Sequence, residues 1–463
     1  MYTSSAADLA HVRHTEMHAH TIDFTRGGII KNLALFALPI VLGELLQNLY
    51  NTVDSMVIGN FTGGVALAAV SVCSAISQLV VGFFNGMSVG ASVIVARYCG
   101  AGDAQRQSIS MRVTFAFSVL MGVVLSIIGI LITPWLVSLV SVPENVYREA
   151  VLYLRIYLAG IMFTVIYNVG AGLLRAVGDS RSPFVILVIV CGVNIILDLL
   201  FVAYCAWGVA GVSAATVISQ LISAVMVYCC LKKTEPSFCL TFKNMKKEKQ
   251  IVLAMTGIGL PTGLQNSLIS FSNLFVWRYI SGFSAAAMAG VGVAGRIDRF
   301  IGLPCKAFGL ALTTYYSQNF GARHFERLKR GFWGCMALSM GYLVAVSAVI
   351  YLFAEESVML FNSEPEVVAA GVGMLYVMLP FYCFLAMREV CLGALRGYGD
   401  TRVPLILSLL GMVVLRQIYL AVSLSIDHNI VHVYIGYPLA WFVTTLMTFV
   451  YFLRVKGKYE KAI

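Results

Sequence analysis

The amino-acid sequence predicts an all-α integral membrane protein, with twelve transmembrane helices arranged as two parallel-repeat six-helix bundles around a central cleft. Three observations predict this fold. Hydrophobic residues make up 59% of the chain and charged residues only 12%, whereas about 25% of the residues of a soluble domain are charged. Twelve apolar segments are long enough to cross a bilayer as helices. The two halves of the chain also repeat one motif. We call the first bundle the N-lobe and the second the C-lobe.

The twelve predicted spans place both chain termini on the same side of the membrane. The segments on that side carry 24 of the 32 lysines and arginines, and the six opposite loops carry none. Because cytoplasmic loops are enriched in Lys and Arg, both termini are predicted to be cytoplasmic. The net charge of +10 therefore reflects topology and does not indicate a nucleic-acid partner. The spans are 29–58, 64–96, 109–140, 148–174, 184–204, 208–231, 251–281, 285–318, 331–354, 366–395, 404–425 and 432–453.

The internal repeat is the strongest sign of how the chain is organised. LLRAVGDSRSPF, at 173–184, recurs as ALRGYGDTRVPL at 394–405, and the same offset of 221 residues separates Gly100 from Gly321. Six spans in each half make the halves parallel, as in many alternating-access carriers. We therefore divide the chain into a polar N-terminal tail (1–26), the N-lobe (27–231), a basic cytoplasmic linker (232–250), the C-lobe (251–454) and a cytoplasmic tail (455–463).

The repeated LRxxGD[ST]RxP element predicts a cytoplasmic hinge turn in each half. Its glycine permits a tight turn and its proline favours the start of a helix. Asp179 and Asp400 are predicted to cap the helices that follow, and the arginines are expected to contact lipid phosphates. We prefer this structural interpretation to a catalytic role for the two aspartates.

Histidines and cysteines offer little evidence of a metal or redox site. His11, His14, His18 and His20 fit either a metal-binding tail or a disordered polar leader, and we favour the leader because no ordered scaffold surrounds them. The eleven cysteines are scattered without CxxC pairs and are interpreted as packing residues.

A polar stripe on the first span is the first candidate functional feature. Glu44, Gln47, Asn48, Asn51 and Asp54 recur at spacings of three and four, which places them on one side of a helix. A carboxylate in hydrocarbon costs several kcal/mol unless it faces protein, water or an ion. Asp54 therefore requires a partner elsewhere in the bundle.

The fifth and sixth spans supply candidate partners at a similar depth. Asn194 and Asp198 lie four residues apart and share a helical face, and Thr216 follows on the sixth span. Two neighbouring carboxylates cannot both stay ionised without a cation, or else they share protons. Oxygen ligands suit a hard cation such as Na⁺. We interpret the group as a coupling-ion site, and the alternative is polar side chains that only join helices.

On these residues the chain resembles a multidrug and toxic compound extrusion (MATE) transporter over 27–455. The resemblance rests on the ALPIVLGELLQNLYNTVDSMVIGNFTG segment, the GAGD loop, the doubled LRxxGDxRxP turns and the two-by-six layout. It implies a coupling-cation site at Asp54, Asn194, Asp198 and Thr216, which holds Na⁺ if the carrier is sodium-coupled. Gln47 and Asn51 would support this site. It also implies that a bend of the first helix at Pro39 accompanies substrate release.

The sequence departs from a second branch of this family, which carries acidic residues in the C-lobe. The seventh span has no acid, the repeat partner of Asp54 is Val276, and Glu389 is the nearest acid on the tenth span. Instead, the C-lobe contains charges that we expect to be buried. They form either internal ion pairs or a polar wall for substrate, including anionic groups. These residues are Arg296, Asp298, Arg299, Lys306, Arg388, Glu389 and Arg416.

Aromatic and methionine side chains are candidates for stacking on flat cationic substrates in the cleft, although each also fits a core position. They are Tyr50, Phe83, Phe84, Met87, Phe163 and Tyr167.

The expected function is a secondary transporter that exports organic, mostly cationic, compounds in exchange for Na⁺ or H⁺. The alternatives are a lipid-linked saccharide flippase, a channel and an intramembrane enzyme. The enzyme is disfavoured because the chain lacks HExxH, GxSxG and paired-Asp protease patterns. No cofactor other than the coupling ion is expected. We also expect small-molecule substrates, a lipid bilayer as partner, no nucleic acid, a monomer, and a multi-pass location in a prokaryotic plasma membrane.

Overall fold

The computed structural model describes residues 21–138, 143–242 and 247–461. Within these residues, the chain folds into helices that follow the predicted spans. They are α1 (Ile29–Phe61), α2 (Gly64–Gly100), α3 (Ala104–Ser138), α4 (Glu144–Ala159 and Ile161–Ala176), α5 (Arg181–Tyr204), α6 (Gly208–Thr234), α7 (Lys249–Ile280), α8 (Ala285–Gly321), α9 (Phe325–Leu352), α10 (Pro365–Gly397), α11 (Arg402–Ile426) and α12 (Ile430–Lys461). A short helix, Ala354–Met359, precedes α10.

The helices confirm the expected all-α membrane fold. Nine described helices are long and apolar enough to cross a membrane, and the two parts of α4, which meet at 46°, make a tenth. The remaining two, α7 and α8, are 32 and 37 residues long and contain more polar residues. Two helices also contain a π-helical segment, Leu199–Tyr204 in α5 and Leu410–Leu415 in α11. Such segments are rare and often lie at functional sites.

The two LRxxGD turns have the same backbone hydrogen bonds. The amide of Asp179 donates to Leu174 O at 3.0 Å, and that of Asp400 donates to Leu395 O at 2.9 Å. Gly178 and Gly399 have φ of +92° and +82°, the left-handed conformation that glycine adopts without strain after a helix. The repeat found in the sequence is therefore a repeat of local structure.

The side chains of these turns behave differently in the two halves. Asp179 caps α5 as predicted, because its Oδ1 accepts from the amides of Arg181 and Ser182 at 3.0 and 2.9 Å. The predicted capping by Asp400 is wrong. Its Oδ2 instead accepts from the hydroxyls of Tyr451 and Tyr459 on α12, at 2.6 and 2.8 Å. The aromatic hydroxyls of α12 are absent from α6, which explains why equivalent aspartates bind different groups.

The first arginine of each turn points into the protein, which corrects the expectation that it contacts lipid phosphates. Half-buried Arg175 lies within electrostatic range of Glu44 and Tyr167. Its repeat equivalent, Arg396, lies in the same way near Glu389. The second arginines of the two turns, Arg181 and Arg402, are exposed. Each lobe therefore places one turn arginine near an internal acid.

The first helix of each half packs against both lobes. Leu33, Phe36 and Ala37 at the start of α1 belong to a core formed mostly by C-lobe residues, whereas Val57 and Ile58 near its end lie in the N-lobe core. The α7 helix does the reverse, because Met255 packs in the N-lobe core and Val276 in the C-lobe core. The division at 27–231 and 251–454 stays a division of the sequence, since the packing crosses it.

The lobes touch at the end of the molecule that carries the LRxxGD turns, which we call the basic end. A Cβ placed on Gly86 of α2 would lie 2.1 Å from the backbone nitrogen of Gly263 on α7. One placed on Gly100 would lie 1.8 Å from Gln318 O, and one on Gly321 would lie 2.0 Å from Arg97 O. These glycines allow the two backbones to approach closely.

Polar bonds strengthen the contact at the basic end. The Arg97 guanidinium donates to Tyr398 O at 3.1 Å, and the Gln318 amide donates to Ala176 O at 2.8 Å. Arg97 and Gln318 are 221 residues apart, so the two bonds are equivalent in the repeat. The segment before α1 also joins the lobes. The Ile22 amide donates to Gly178 O at 3.0 Å, and the Phe24 amide donates to Gln318 Oε1 at 3.1 Å.

The lobes separate toward the opposite end. The last printed polar contact between α2 and α7 in that direction is the bond from the Ser267 hydroxyl to Leu79 O, at 2.9 Å. Beyond it, Ser71 and Gln78 on α2 are exposed, as are Phe271 and Leu274 on α7. The central cleft is therefore closed at the basic end and open at the other.

Candidate functional site

The predicted cation site lies where α1, α5 and α6 pack together in the N-lobe. The π-helical segment of α5 begins directly after Asp198. Asn194, Asp198 and Thr216 are at most 4% exposed, and Asp54 is half-buried on α1. The fold thus brings the polar side chains of three helices into one region, as the sequence predicted.

The carboxyl groups of Asp54 and Asp198 lie within hydrogen-bonding reach of each other. Among the described residues, Asp54 Oδ1, both carboxyl oxygens of Asp198, and the amide oxygen and nitrogen of Asn194 are buried without a hydrogen-bond partner. Buried polar atoms in proteins nearly always have partners, so a cluster without them requires explanation. A cation, or a proton shared between the carboxyl groups, would provide one.

Thr216 also fits a ligand role. Its hydroxyl donates to Val212 O at 3.0 Å, so its proton is used within α6 and the lone pairs of the oxygen remain available. The carboxylate, amide and hydroxyl oxygens of this group are the ligand types that hard cations prefer. The residues present therefore fit Na⁺, and the carboxyl pair equally fits a proton. The assignment of the four residues to a coupling cation stays a prediction.

The supporting residues on α1 differ in environment from the site itself. Gln47 and Asn51 are exposed, whereas Glu44 is half-buried and lies near Arg175 and Tyr167. The supporting role of Gln47 and Asn51 stays a prediction. Pro39 lies inside α1, which runs as one helix from Ile29 to Phe61, so a bend at this proline also stays a prediction.

Sequence reasoning missed two tyrosines beside the carboxyl pair. Tyr153 of α4 lies within electrostatic range of both Asp54 and Asp198. Tyr157, one turn later, stacks on Tyr153 with ring centroids 6.3 Å apart. Both rings are nearly buried. The spacing of four residues was a signal that they share a face, but the sequence did not show which helix that face meets.

Two of the proposed cleft aromatics and methionines are core residues. Phe84 and Met87 are 1% and 2% exposed and belong to the N-lobe core, so the expectation that they face the cleft is wrong. The glycine pattern of α2 explains the difference, because Gly82, Gly86 and Gly90 are the residues that face α7. Tyr50, Phe83, Phe163 and Tyr167 are half-buried. Their stacking on substrate stays a prediction.

The C-lobe charges contain both the pairs and the open positions that the sequence left as alternatives. Arg388 and Glu389 form a salt bridge at 2.6 Å, and the Tyr382 hydroxyl donates to Asp298 Oδ1 at 2.6 Å. Arg416 is 1% exposed and donates to Ser272 Oγ and Asn273 Oδ1. The expectation that all these charges are buried is wrong for three of them. Arg296, Arg299 and Lys306 are exposed on α8.

The histidines proposed as a metal-binding tail, His11, His14, His18 and His20, lie outside the described residues.

Two parallel six-helix repeats around a cleft, with a carboxyl pair inside one repeat, define a secondary transporter. The chain belongs to the MatE family, the MATE transporters, because the family model matches residues 39–200 and again 261–422. The two matches begin at Pro39 and Pro261 and so reproduce the internal repeat. As a transporter of this family the chain is not an enzyme.

Curated relatives and solved structures agree with this assignment. The chain is 27% identical to the probable multidrug resistance protein YoeA of Bacillus subtilis, over 94% of this chain and 96% of that protein. It is 29% identical to the probable multidrug resistance protein YpnP of the same organism, over 86% and 89%. A MOP superfamily transporter from Pyrococcus furiosus has the same fold, with a TM-score of 0.87 at 24% identity, over 95% and 98% of the chains. These relatives do not favour the flippase alternative.

A further solved structure is described as the outward-facing conformation of a multidrug resistance MATE family transporter. It matches with a TM-score of 0.87 at 23% identity, over 95% of this chain and 98% of that chain. Other solved MATE structures with the same fold are described as straight and bent conformations.

Proposed function

We propose that this protein is a cation-coupled antiporter that exports organic compounds, mostly cationic ones, by alternating access. The observation that carries the proposal is the Asp54–Asp198 pair, together with the buried oxygen and nitrogen atoms around it that lack partners. An exporter that exchanges its substrate for a cation needs a site where the cation binds only when the state of the cleft permits it. The carboxyl pair meets this need.

Coupling follows from the charge of the pair. With neither Na⁺ nor H⁺ bound, the adjacent carboxylates repel each other and lack solvation. Entry of the cation from the open side of the cleft removes this penalty and favours the cation-bound arrangement of α1, α5 and α6. We propose that this change releases bound drug outward. Loss of the cation to the cytoplasm then allows the cleft to reopen at the basic end.

The proposal includes topology and location. The basic end carries the Lys- and Arg-rich segments, so it is proposed to be cytoplasmic, and the open end of the cleft then faces outward. The bacterial relatives support a prokaryotic plasma membrane. We propose that a monomer is sufficient, because the cation site lies within one lobe of one chain.

The test is efflux of a fluorescent organic cation from proteoliposomes under an imposed Na⁺ or pH gradient. Asp54→Asn and Asp198→Asn should each reduce gradient-driven efflux at least about tenfold, because each removes one of the two charges that bind the cation. The matched control is Asp427→Asn, since Asp427 is an exposed carboxylate in the loop after α11. The control should retain wild-type efflux. Full efflux by both site variants would show that the mechanism is wrong, and efflux without any opposing gradient would indicate a channel.

A further inference from the structure

One side of α8 carries three cations toward the central cleft. At 3.6 residues per turn, Arg296, Arg299 and Lys306 fall within about a quarter of the helix circumference. Gly321 lies on the same side, and its Cβ position would be 2.0 Å from Arg97 O of the N-lobe. The face that holds the three cations is therefore the face that meets the other lobe at the basic end. Toward the open end, the same face borders the cleft.

The three cations lie in the middle of a membrane-crossing helix. At a rise of 1.5 Å per residue, Arg296, Arg299 and Lys306 lie roughly 16, 21 and 31 Å from the first residue of α8. The helix has 37 residues. A cation at this depth is costly unless it meets water or an opposite charge. The exposed cleft supplies water, and an opposite charge would bind more strongly there than at the surface.

The protein does not neutralise these cations itself. Across the described residues, the ion pairs are Arg26–Asp23, Arg388–Glu389 and His432–Asp427, and none involves the three α8 cations. The nearby carboxyl groups are Asp298 and Glu389. Asp298 accepts from Tyr382, and Glu389 binds Arg388 at 2.6 Å.

The balance of charge in this part of the C-lobe is positive. Asp298 and Glu389 lie within electrostatic range of four basic groups, Arg299, Lys306, Arg388 and Arg396. Arg416 lies within range of Arg388 and donates only to neutral oxygens. Two carboxyl groups therefore serve five cations, before Arg296 is counted.

We propose that the cleft-facing side of α8 is a subsite for the anionic group of an amphiphilic organic substrate, a carboxylate, sulfonate or phosphate. The guanidinium groups of Arg296 and Arg299 have the planar donor geometry that binds such groups through two parallel hydrogen bonds. An aromatic surface for the apolar body lies beside them. A methyl group at Gly292, about one turn before Arg296, would be 3.8 Å from the ring of Trp277. The inference deepens the proposed function, on which it rests, by adding anionic and zwitterionic compounds to its substrates.

The test compares two probes that share one aromatic body and differ in charge, pyrenebutyrate and its trimethylammonium analogue. Binding to the purified full-length protein in detergent is measured by fluorescence anisotropy. The double variant Arg299→Gln/Lys306→Gln should weaken pyrenebutyrate binding by roughly tenfold or more and change binding of the ammonium probe by less than about twofold. Arg148→Gln, at an exposed arginine of the N-lobe, is the matched control and should bind both probes as the wild type does.

Two further measurements decide the interpretation. Arg299→Lys retains the charge and should recover part of the lost affinity, which a variant that had merely misfolded would not do. Nanodiscs with and without phosphatidylglycerol distinguish the sources of the anion. Competition by this lipid identifies a lipid phosphate as occupant, and its absence identifies a free organic anion. Unchanged pyrenebutyrate affinity in the double variant would overturn the subsite.

The binding assay requires no ion gradient and leaves Asp54 and Asp198 intact. If gradient-driven efflux fails while the charge preference persists, the antiport proposal falls and the subsite remains. If efflux of an organic cation is gradient-driven but the protein shows no preference for the anionic probe, only the subsite falls.

Discussion

The N-lobe and the C-lobe are alike where they meet and opposite where they face a ligand. Both carry the same turn, with equivalent hydrogen bonds at Asp179 and Asp400, and both contribute one equivalent bond between the lobes, from Arg97 and from Gln318. Inside the bundles the chemistry diverges. The N-lobe contains two neighbouring carboxyl groups with atoms that lack partners, and the C-lobe contains an excess of cations.

The repeat positions show how this divergence arises. The C-lobe equivalent of Asp54 is Val276, which is 0% exposed in an apolar core. The equivalents of Asp198 and Thr216, at an offset of 221, are Tyr419 and Tyr437. The Arg416 guanidinium lies 5.5 Å from the centroid of the Tyr437 ring, so an aromatic ring and a cation occupy the region that holds carboxyl groups in the N-lobe. Duplication preserved the frame, and substitution at a few internal positions gave each lobe its own charge.

The largest expected effect comes from placing the N-lobe acid in the C-lobe. Val276→Asp buries a carboxyl group in an apolar core without the polar neighbours that surround Asp54. We expect it to lower the free energy of unfolding by about 3 kcal/mol, measured by thermal denaturation in detergent. Val276→Ala, which only leaves a cavity, should cost about 1 kcal/mol. If Val276→Asp were as stable as the wild type and restored efflux to Asp54→Asn, coupling would not be confined to one lobe.

The next effect tests the surface that the lobes share. In Gly86→Leu a side chain must fit where a Cβ already lies 2.1 Å from the Gly263 backbone, so α2 and α7 must move apart. We expect a loss of about 1–3 kcal/mol, faster hydrogen–deuterium exchange at the basic ends of both helices, and slower efflux. Gly192→Leu on α5 is the matched control, because a Cβ there meets no atom within 4 Å. Equal exchange rates in the two variants would contradict closure at Gly86.

The smallest effect separates the two turn aspartates. Asp179→Ala removes a helix cap and should cost about 1 kcal/mol, while Asp400→Ala removes the acceptor of two tyrosine hydroxyls and should also cost about 1 kcal/mol. A double-mutant cycle distinguishes the roles. Tyr451→Phe should reduce the cost of Asp400→Ala and leave that of Asp179→Ala unchanged, by denaturation midpoint. Coupling of Tyr451 to Asp179 of the same size would show that the lobes do not differ here.

Much of the fold was predictable because hydropathy and repetition are properties of the chain itself. The run of apolar spans, the offset of 221 residues and the absence of an acid on α7 all follow from residue order. The association of Asp54 with Asn194, Asp198 and Thr216 was also predictable. Two acids in apolar helices at similar depth have few ways to avoid lipid other than meeting each other.

Other features needed the tertiary structure, since periodicity shows which residues share a face but not what covers it. Phe84 and Met87 were expected in the cleft, yet glycines occupy the face of α2 that meets α7, and the two large side chains turn inward. Tyr153 and Tyr157 share a face in the sequence, but only the packing of α4 places Tyr153 near Asp54 and Asp198.

The sequence alone determined the membrane fold, its two parallel halves and the confinement of the acidic site to the first half, because composition and residue order carry that information directly. Only the tertiary structure decided that the cleft is closed at the basic end, that α1 and α7 each begin against the opposite lobe, and that the α8 cations face the cleft. These facts depend on contacts between residues far apart in the chain. The packing of side chains across helices sets such contacts, and no local pattern specifies them.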